Sequence, residues 1–180
     1  NENLELEIKM GGGGNRKSIT RINYDNVIKK IKSLGFVSSE SKYLLRIQSN
    51  LASTNNNNNN IRTEIEGIHN IRKYCQTNSI DLENSASGIS FIQKQPYRPT
   101  SGSGNEVKSI DFPDFDFRVS LSNEKKVGND SSLIRENILN EQKWKQTKKV
   151  FRYTNRHTFT HPDPTYPFIV DVSIVKSSRL

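Results

Sequence analysis

Glu5 and Glu7 stand two residues apart in the run Leu4-Glu5-Leu6-Glu7-Ile8-Lys9-Met10, in which apolar and charged residues alternate strictly. Alternation of period two belongs to a strand, so both carboxylates project from one face with their roots about 7 Å apart. Like charges held that close repel unless a cation lies between them. Hard divalent ions such as Mg2+ or Mn2+ take carboxylate oxygens and keep several waters, which makes Glu5 and Glu7 candidate metal ligands. Arginines carry the complementary chemistry. Arg118, Arg152 and Arg156 each fall on the polar side of an alternating segment, and a guanidinium presents planar, paired donors that match phosphate oxygens.

The elements that must position these side chains are mostly strands. Phe117, Val119 and Leu121 alternate against Asp116, Arg118, Ser120 and Ser122; Phe151, Tyr153 and Phe159 against Arg152, Thr154, Arg156 and Thr158; Val170, Val172 and Ile174 against Asp171 and Ser173. Residues 42–51 and 61–66 also read as strands, flanking the polar run Asn55 to Asn60. Helical spacing predicts an amphipathic helix over 24–34, closed by Gly35, a short helix over 67–74 and one over 133–144. No repeat period is visible. Strands with one apolar and one charged face are the ordinary state of an antiparallel sheet with one side in water. They also suit a barrel whose apolar faces pack outward against helices while the charged faces line the inside. A tunnel with a carboxylate-bound metal on one wall and arginines on others is a device for gripping a polyphosphate.

The chain of 180 residues carries 27 Lys and Arg against 19 Asp and Glu, a formal charge of +8 that suggests a polyanionic partner. Only 32% of its residues are hydrophobic, and no run approaches the roughly 18 apolar residues of a membrane-spanning helix. One cysteine, Cys75, excludes an internal disulfide and reads as a small buried residue, and the first ten residues lack a signal peptide's pattern, so an intracellular, reducing setting is expected. The chain reads as one domain over 1–180, with flexible loops near 11–17, 52–60 and 99–106. Its strand-like end and lack of an initiator Met suggest a fragment lacking its last strands. Gly11 to Gly14 with Arg16-Lys17-Ser18 fails as a phosphate loop, which needs Gly directly before Lys. His157, His161 and Cys75 lack the paired spacing of a zinc site. Trp144 and the strand aromatics read as core rather than as a platform for stacking bases.

Together these segments resemble a known family. Glu5-Leu6-Glu7-Ile8-Lys9 fits the ExExK signature of the triphosphate tunnel metalloenzymes. The later blocks FRVSLSNE, FRYTNRHTF and VDVSIVKSS resemble, in order, the RNA 5'-triphosphatase domain of large DNA virus mRNA capping enzymes of the mimivirus type. The resemblance implies an α+β, mainly β fold: an antiparallel β-barrel, the triphosphate tunnel, with a few peripheral helices. It makes Glu5 and Glu7 metal ligands and catalytic residues, Lys9 the basic residue that follows them toward the phosphates, and Arg118 the arginine of a central strand. Arg156 matches the second residue of a Lys-x-Arg pair, with Thr154 where lysine is usual and Arg152 on the same face available to replace it. Asp171 and Ser173 match an Asp-x-Thr strand that supports the basic side chains and the water network. The family's second glutamate cluster has no counterpart after Asp171 and is expected beyond Leu180, so that a chain ending there would be poorly active.

The implied activity is metal-dependent hydrolysis, with Mg2+ or Mn2+, of the terminal phosphate of 5'-triphosphate RNA, the first step of mRNA cap formation. Catalytic roles fall to Glu5, Glu7, Arg118, Arg156 and Asp171, and substrate binding to Lys9, Arg118, Arg152, Arg156 and Ser173. Two alternatives stay open: a nucleoside triphosphate or tripolyphosphate hydrolase of the same fold, and a non-catalytic basic RNA-binding module. Expected partners are the triphosphate end of nascent mRNA and guanylyltransferase and methyltransferase domains of the same polypeptide, with no membrane. The expected location is the virion or the cytoplasmic virus factory of an infected cell.

Overall fold

The computed structural model describes residues 4–10, 20–49, 61–82, 88–99, 106–115 and 117–178. The loops expected near 11–17 and 52–60 lie outside these residues, as does 99–106 apart from Pro99 and Glu106. The strands are antiparallel and dominate, and the described residues sort into two compact units, 1–29 with 94–125 and 30–93 with 126–180.

In the first unit, β1 (Leu4–Met10) pairs antiparallel with β6 (Phe117–Val127), which also pairs with the short β5 (Ile110–Phe112). Register sets Glu5 against Ser122, Glu7 against Ser120 and Lys9 against Arg118. Because side chains alternate, Glu5, Glu7, Lys9, Arg118, Ser120 and Ser122 share one face. The last residues of β4 (Ile89–Pro96) join this unit from Lys94 onward. The helix expected over 24–34 is α1 (Arg21–Ser33). Its start is fixed by Thr20, whose hydroxyl accepts from the Asn23 N–H while the Asn23 carboxamide accepts from the Thr20 N–H. Gly35, at φ 92°, takes the left-handed conformation that ends the helix.

The second unit orders its strands β4, β3 (Ile61–Glu66), β2 (Val37–Ser49), β7 (Lys149–Thr160) and β8 (Ile169–Ser177), all antiparallel. Ile61, Thr63 and Ile65 of β3 are buried, together with Leu45 and Ile47 of β2 and Phe91 of β4. Onto this apolar side pack α2 (Ile68–Thr77), α3 (Ser132–Asn137) and α4 (Glu141–Gln146), which contribute Ile71, Tyr74, Ile134 and Trp144 to one core, with Ile138 between α3 and α4. Thus in this unit the apolar faces of β2, β3 and β4 pack against helices, one of the two arrangements that the alternation allowed, whereas Leu4, Leu6 and Ile8 of β1 are exposed. Trp144 is core, as expected. Cys75 is not: α2 buries Ile71 and Tyr74, and Cys75, the next residue around the helix, is exposed.

The single helix expected over 133–144 is two. Ile134 and Ile138 lie one turn apart, but Asn140 begins a new helix, its side chain accepting from the Lys143 N–H at 3.1 Å. Tyr74 meets Trp144 edge-on at 6.4 Å, and burial pushes its hydroxyl's pKa up to about 12. The folded chain therefore holds that proton more tightly than the unfolded one. Stability from this group is complete below the ordinary value of 10.0 and is lost as the pH rises toward about 12. In an ultraviolet titration one of the six tyrosines should ionise last, near that value, and Tyr74→Phe should remove the step.

Candidate active site

The glutamates of β1 face a cation, as their spacing requires, but it is Lys94, which the sequence reading did not single out. Lys94 places its Nζ 2.7 Å from Glu5 Oε2, 3.5 Å from Glu7 Oε2 and 3.0 Å from Glu124 Oε1. The Ser122 hydroxyl donates to Glu5 Oε2 at 3.3 Å, and Lys9 Nζ lies 3.0 Å from Glu7 Oε2. Burial alone would raise the Glu7 pKa, but the hydrogen bond from Lys9 and the charges of Lys94 and Lys9 outweigh it and hold the carboxyl below its usual range. Burial likewise opposes the charge on Lys94, and its hydrogen bonds to Glu5 and Glu124 overcome this and raise its pKa. Across from Lys9, Arg118 forms a two-pronged pair with Asp111 of β5, at 2.6 and 2.8 Å. That pair lowers the Asp111 pKa and raises that of Arg118.

The charged face of the second unit collects the remaining arginines. Arg46 and Arg62 both reach Glu64 Oε1, at 2.8 and 2.9 Å. Arg152 stands directly opposite Arg46 across the β2–β7 ladder. Arg156 Nη1 lies 3.3 Å from Asp171 Oδ2, while the Thr158 hydroxyl donates to Asp171 Oδ1 at 2.7 Å. Ser173 is the cross-strand partner of Arg156. Asp171 therefore braces Arg156, and Ser173 stands beside it. Thr154, where the resemblance calls for lysine, is buried between Leu44 and Val175. Burial lowers the Arg46 pKa, and its neighbours Arg62 and Arg156 lower it further against the pull of Glu64. Among the described residues no carboxylate pairs with Arg152, whereas Arg46 opposite it is held by Glu64.

Lys42 adds a further cation to the same face, 3.0 Å from Glu40 and 3.1 Å from Glu66, and its hydrogen bonds to these two raise its pKa. Lys94, Glu124, Arg46, Arg62 and Glu64 were missed in reading the sequence. The available signal for Arg46 and Arg62 was their parity: Arg62 alternates with Ile61 and Thr63, and Arg46 with Leu45 and Ile47.

The donor set suits a hard divalent ion. Glu5 and Glu7 share one face and already hold one cation between them, and Mg2+ is usually bound through one or two carboxylates with waters and substrate phosphates completing its shell. Among the described residues no group of three His, Cys, Asp or Glu side chains is set to hold a metal alone.

This antiparallel, mainly β fold with a few helices is the triphosphate tunnel fold expected from the sequence. Solved structures that share it include two of a mimivirus capping enzyme. One is the RNA triphosphatase domain of a trifunctional mimivirus mRNA capping enzyme, matched with a TM-score of 0.59 at 16% identity over 98% of this chain and 72% of that one. The other is a triclinic crystal structure of the mimivirus capping enzyme triphosphatase, with a TM-score of 0.57 at 16% identity over 99% and 73%. No protein-family model matches the sequence, and no curated protein matches it significantly. The likeness therefore establishes the fold. Among the described residues no helix is long and apolar enough to cross a membrane.

Proposed function

We propose that this chain is a metal-dependent RNA 5'-triphosphatase, which removes the terminal phosphate from the 5'-triphosphate end of nascent RNA as the first step of cap formation. The observation that carries this reading is the face shared by Glu5, Glu7, Lys9 and Arg118, which combines hard-metal ligands with phosphate-binding cations on two paired strands. The likeness in fold to capping-enzyme triphosphatase domains supports it, although a fold alone does not decide an activity.

Glu5 and Glu7 would hold Mg2+ or Mn2+, which when bound supplies charge neutralisation and orientation at the terminal phosphate. Lys9 and Arg118 offset charge on the phosphate oxygens as the bridging bond breaks, the main form of catalysis open to a protein in phosphoryl transfer. Asp111 keeps the Arg118 guanidinium in one orientation. Arg152 and Arg156, with Arg46 and Arg62, give the second unit its own anion-binding cations, where Asp171 fixes Arg156 and Ser173 stands opposite it in the ladder. In this reading the diphosphate end passes to a guanylyltransferase and then a methyltransferase, expected as domains of the same polypeptide, inside the infected cell or virion.

Initial rates with Mg2+ or Mn2+ on triphosphate-ended RNA, ATP and tripolyphosphate test the substrate. RNA should give the highest kcat/KM. Arg152→Ala should raise its KM about tenfold, the effect of losing one charge-assisted contact. A preference for ATP or tripolyphosphate would move the reaction to free polyphosphates, and RNA binding without turnover would make the chain a basic binding module.

A further inference from the structure

Lys94 has no part in the chemistry described so far, yet its ammonium sits where a cation serves Glu5, Glu7 and Glu124 at once, at 2.7, 3.5 and 3.0 Å. Three carboxylates converging on one point would repel strongly without it. An ammonium and a divalent ion cannot share that point, because both are cations competing for the same oxygens. The lysine side chain is a flexible four-carbon stem with a single compact charge, so it can leave without disturbing the strands.

We propose that Lys94 stands in for the metal: it gathers Glu5, Glu7 and Glu124 in the metal-free protein and is displaced when the ion binds, so that it sets the protein's metal affinity. Glu124, on β6 rather than on the ExExK strand, is then a third negative charge near the ion, outside the pair that would ligate it. This rests on the reading of Glu5 and Glu7 as metal ligands. The displaced ammonium is also freed for the anionic substrate, which couples metal loading to the release of a phosphate-binding cation.

Direct titration of the full chain with Mn2+, following the free ion by electron paramagnetic resonance, tests the proposal without reference to activity. Lys94→Met should bind Mn2+ at least about tenfold more tightly than the unsubstituted chain, since one charge-assisted competitor is gone. Its metal-free Tm should fall and its Mn2+-induced rise in Tm should grow. Lys94→Arg, which keeps the charge, should retain the original affinity. Adding Glu124→Gln to Lys94→Met should undo most of the gain. Equal or weaker Mn2+ binding by Lys94→Met would overturn the proposal.

Should Lys94→Met fail to fold, the unsubstituted chain gives the answer. Saturating Mn2+ should speed labelling of Lys94 by an amine-reactive reagent several-fold, as counted by mass spectrometry, and an unchanged rate would overturn the displacement. Mn2+ binding that is lost in Glu5→Gln but indifferent to Lys94 defeats this inference and leaves the metal reading intact. No Mn2+ binding by any of these proteins defeats both.

Discussion

Glu5→Ala and Glu7→Ala should each lower phosphate release from triphosphate-ended RNA by on the order of a thousandfold, the scale of losing a group that organises charge at the reacting phosphate. Each substitution removes half of the β1 carboxylate pair. Neither should unfold the protein, because both side chains are partly exposed and exposed ion pairs contribute only ~0–1 kcal/mol. Circular dichroism and Tm should therefore stay near those of the parent chain while turnover is lost. Glu5→Gln and Glu7→Gln, which keep the shape but not the charge, should be nearly as inactive. Loss of Glu7 also strips Lys9 of its 3.0 Å partner, so Glu7→Ala should disturb phosphate binding as well as metal affinity. Turnover within twofold of the parent in either alanine variant would remove the β1 face from the site.

Trp144→Ala should have the largest effect on stability. Trp144 is fully buried, at 0% exposure, edge-on to Tyr74, with the Lys149 ammonium 4.6 Å from its ring centre. It anchors α4 in the core shared by β2, β3, β4, α2 and α3. Truncating a buried Trp costs about 3–5 kcal/mol in lost burial and unfilled cavity, a large part of the ~5–15 kcal/mol that holds an ordinary domain together. Denaturant unfolding followed by circular dichroism measures it, since this is the chain's one tryptophan and the variant has no indole fluorescence. A loss below about 1 kcal/mol would mean that the helices are not held to the sheet through this residue.

Much of the sheet was legible because its strands alternate. Residues 61–66 alternate buried Ile61, Thr63 and Ile65 with charged neighbours, and the strand appears at those bounds. The alternating positions over 151–159 and 170–174 fall within β7 and β8 for the same reason. Ile89–Pro96 was not read as a strand. Phe91 and Ile92 are adjacent and both buried, so no two-residue period marks it. With β4 went Lys94, whose meaning depends on partners 89, 87 and 30 residues away at Glu5, Glu7 and Glu124.

Glu124 illustrates the same limit from the other side. It continues the parity of Arg118, Ser120 and Ser122, but nothing local distinguishes a glutamate that meets Lys94 from one that meets water. Arg118, Arg152 and Arg156 were legible as a set because each alternates with aromatic or aliphatic residues. Their bracing by Asp111 and Asp171 is a matter of register between strands, which no single segment reveals.

The most direct test of the account is the fate of a label on the terminal phosphate of triphosphate-ended RNA incubated with the full protein chain. The account predicts labelled inorganic phosphate and diphosphate-ended RNA in equal amounts, formed with Mg2+ or Mn2+ and abolished by a chelator or by Glu7→Ala. Release of labelled pyrophosphate, or phosphate release unaffected by chelator and by Glu7→Ala, would contradict it.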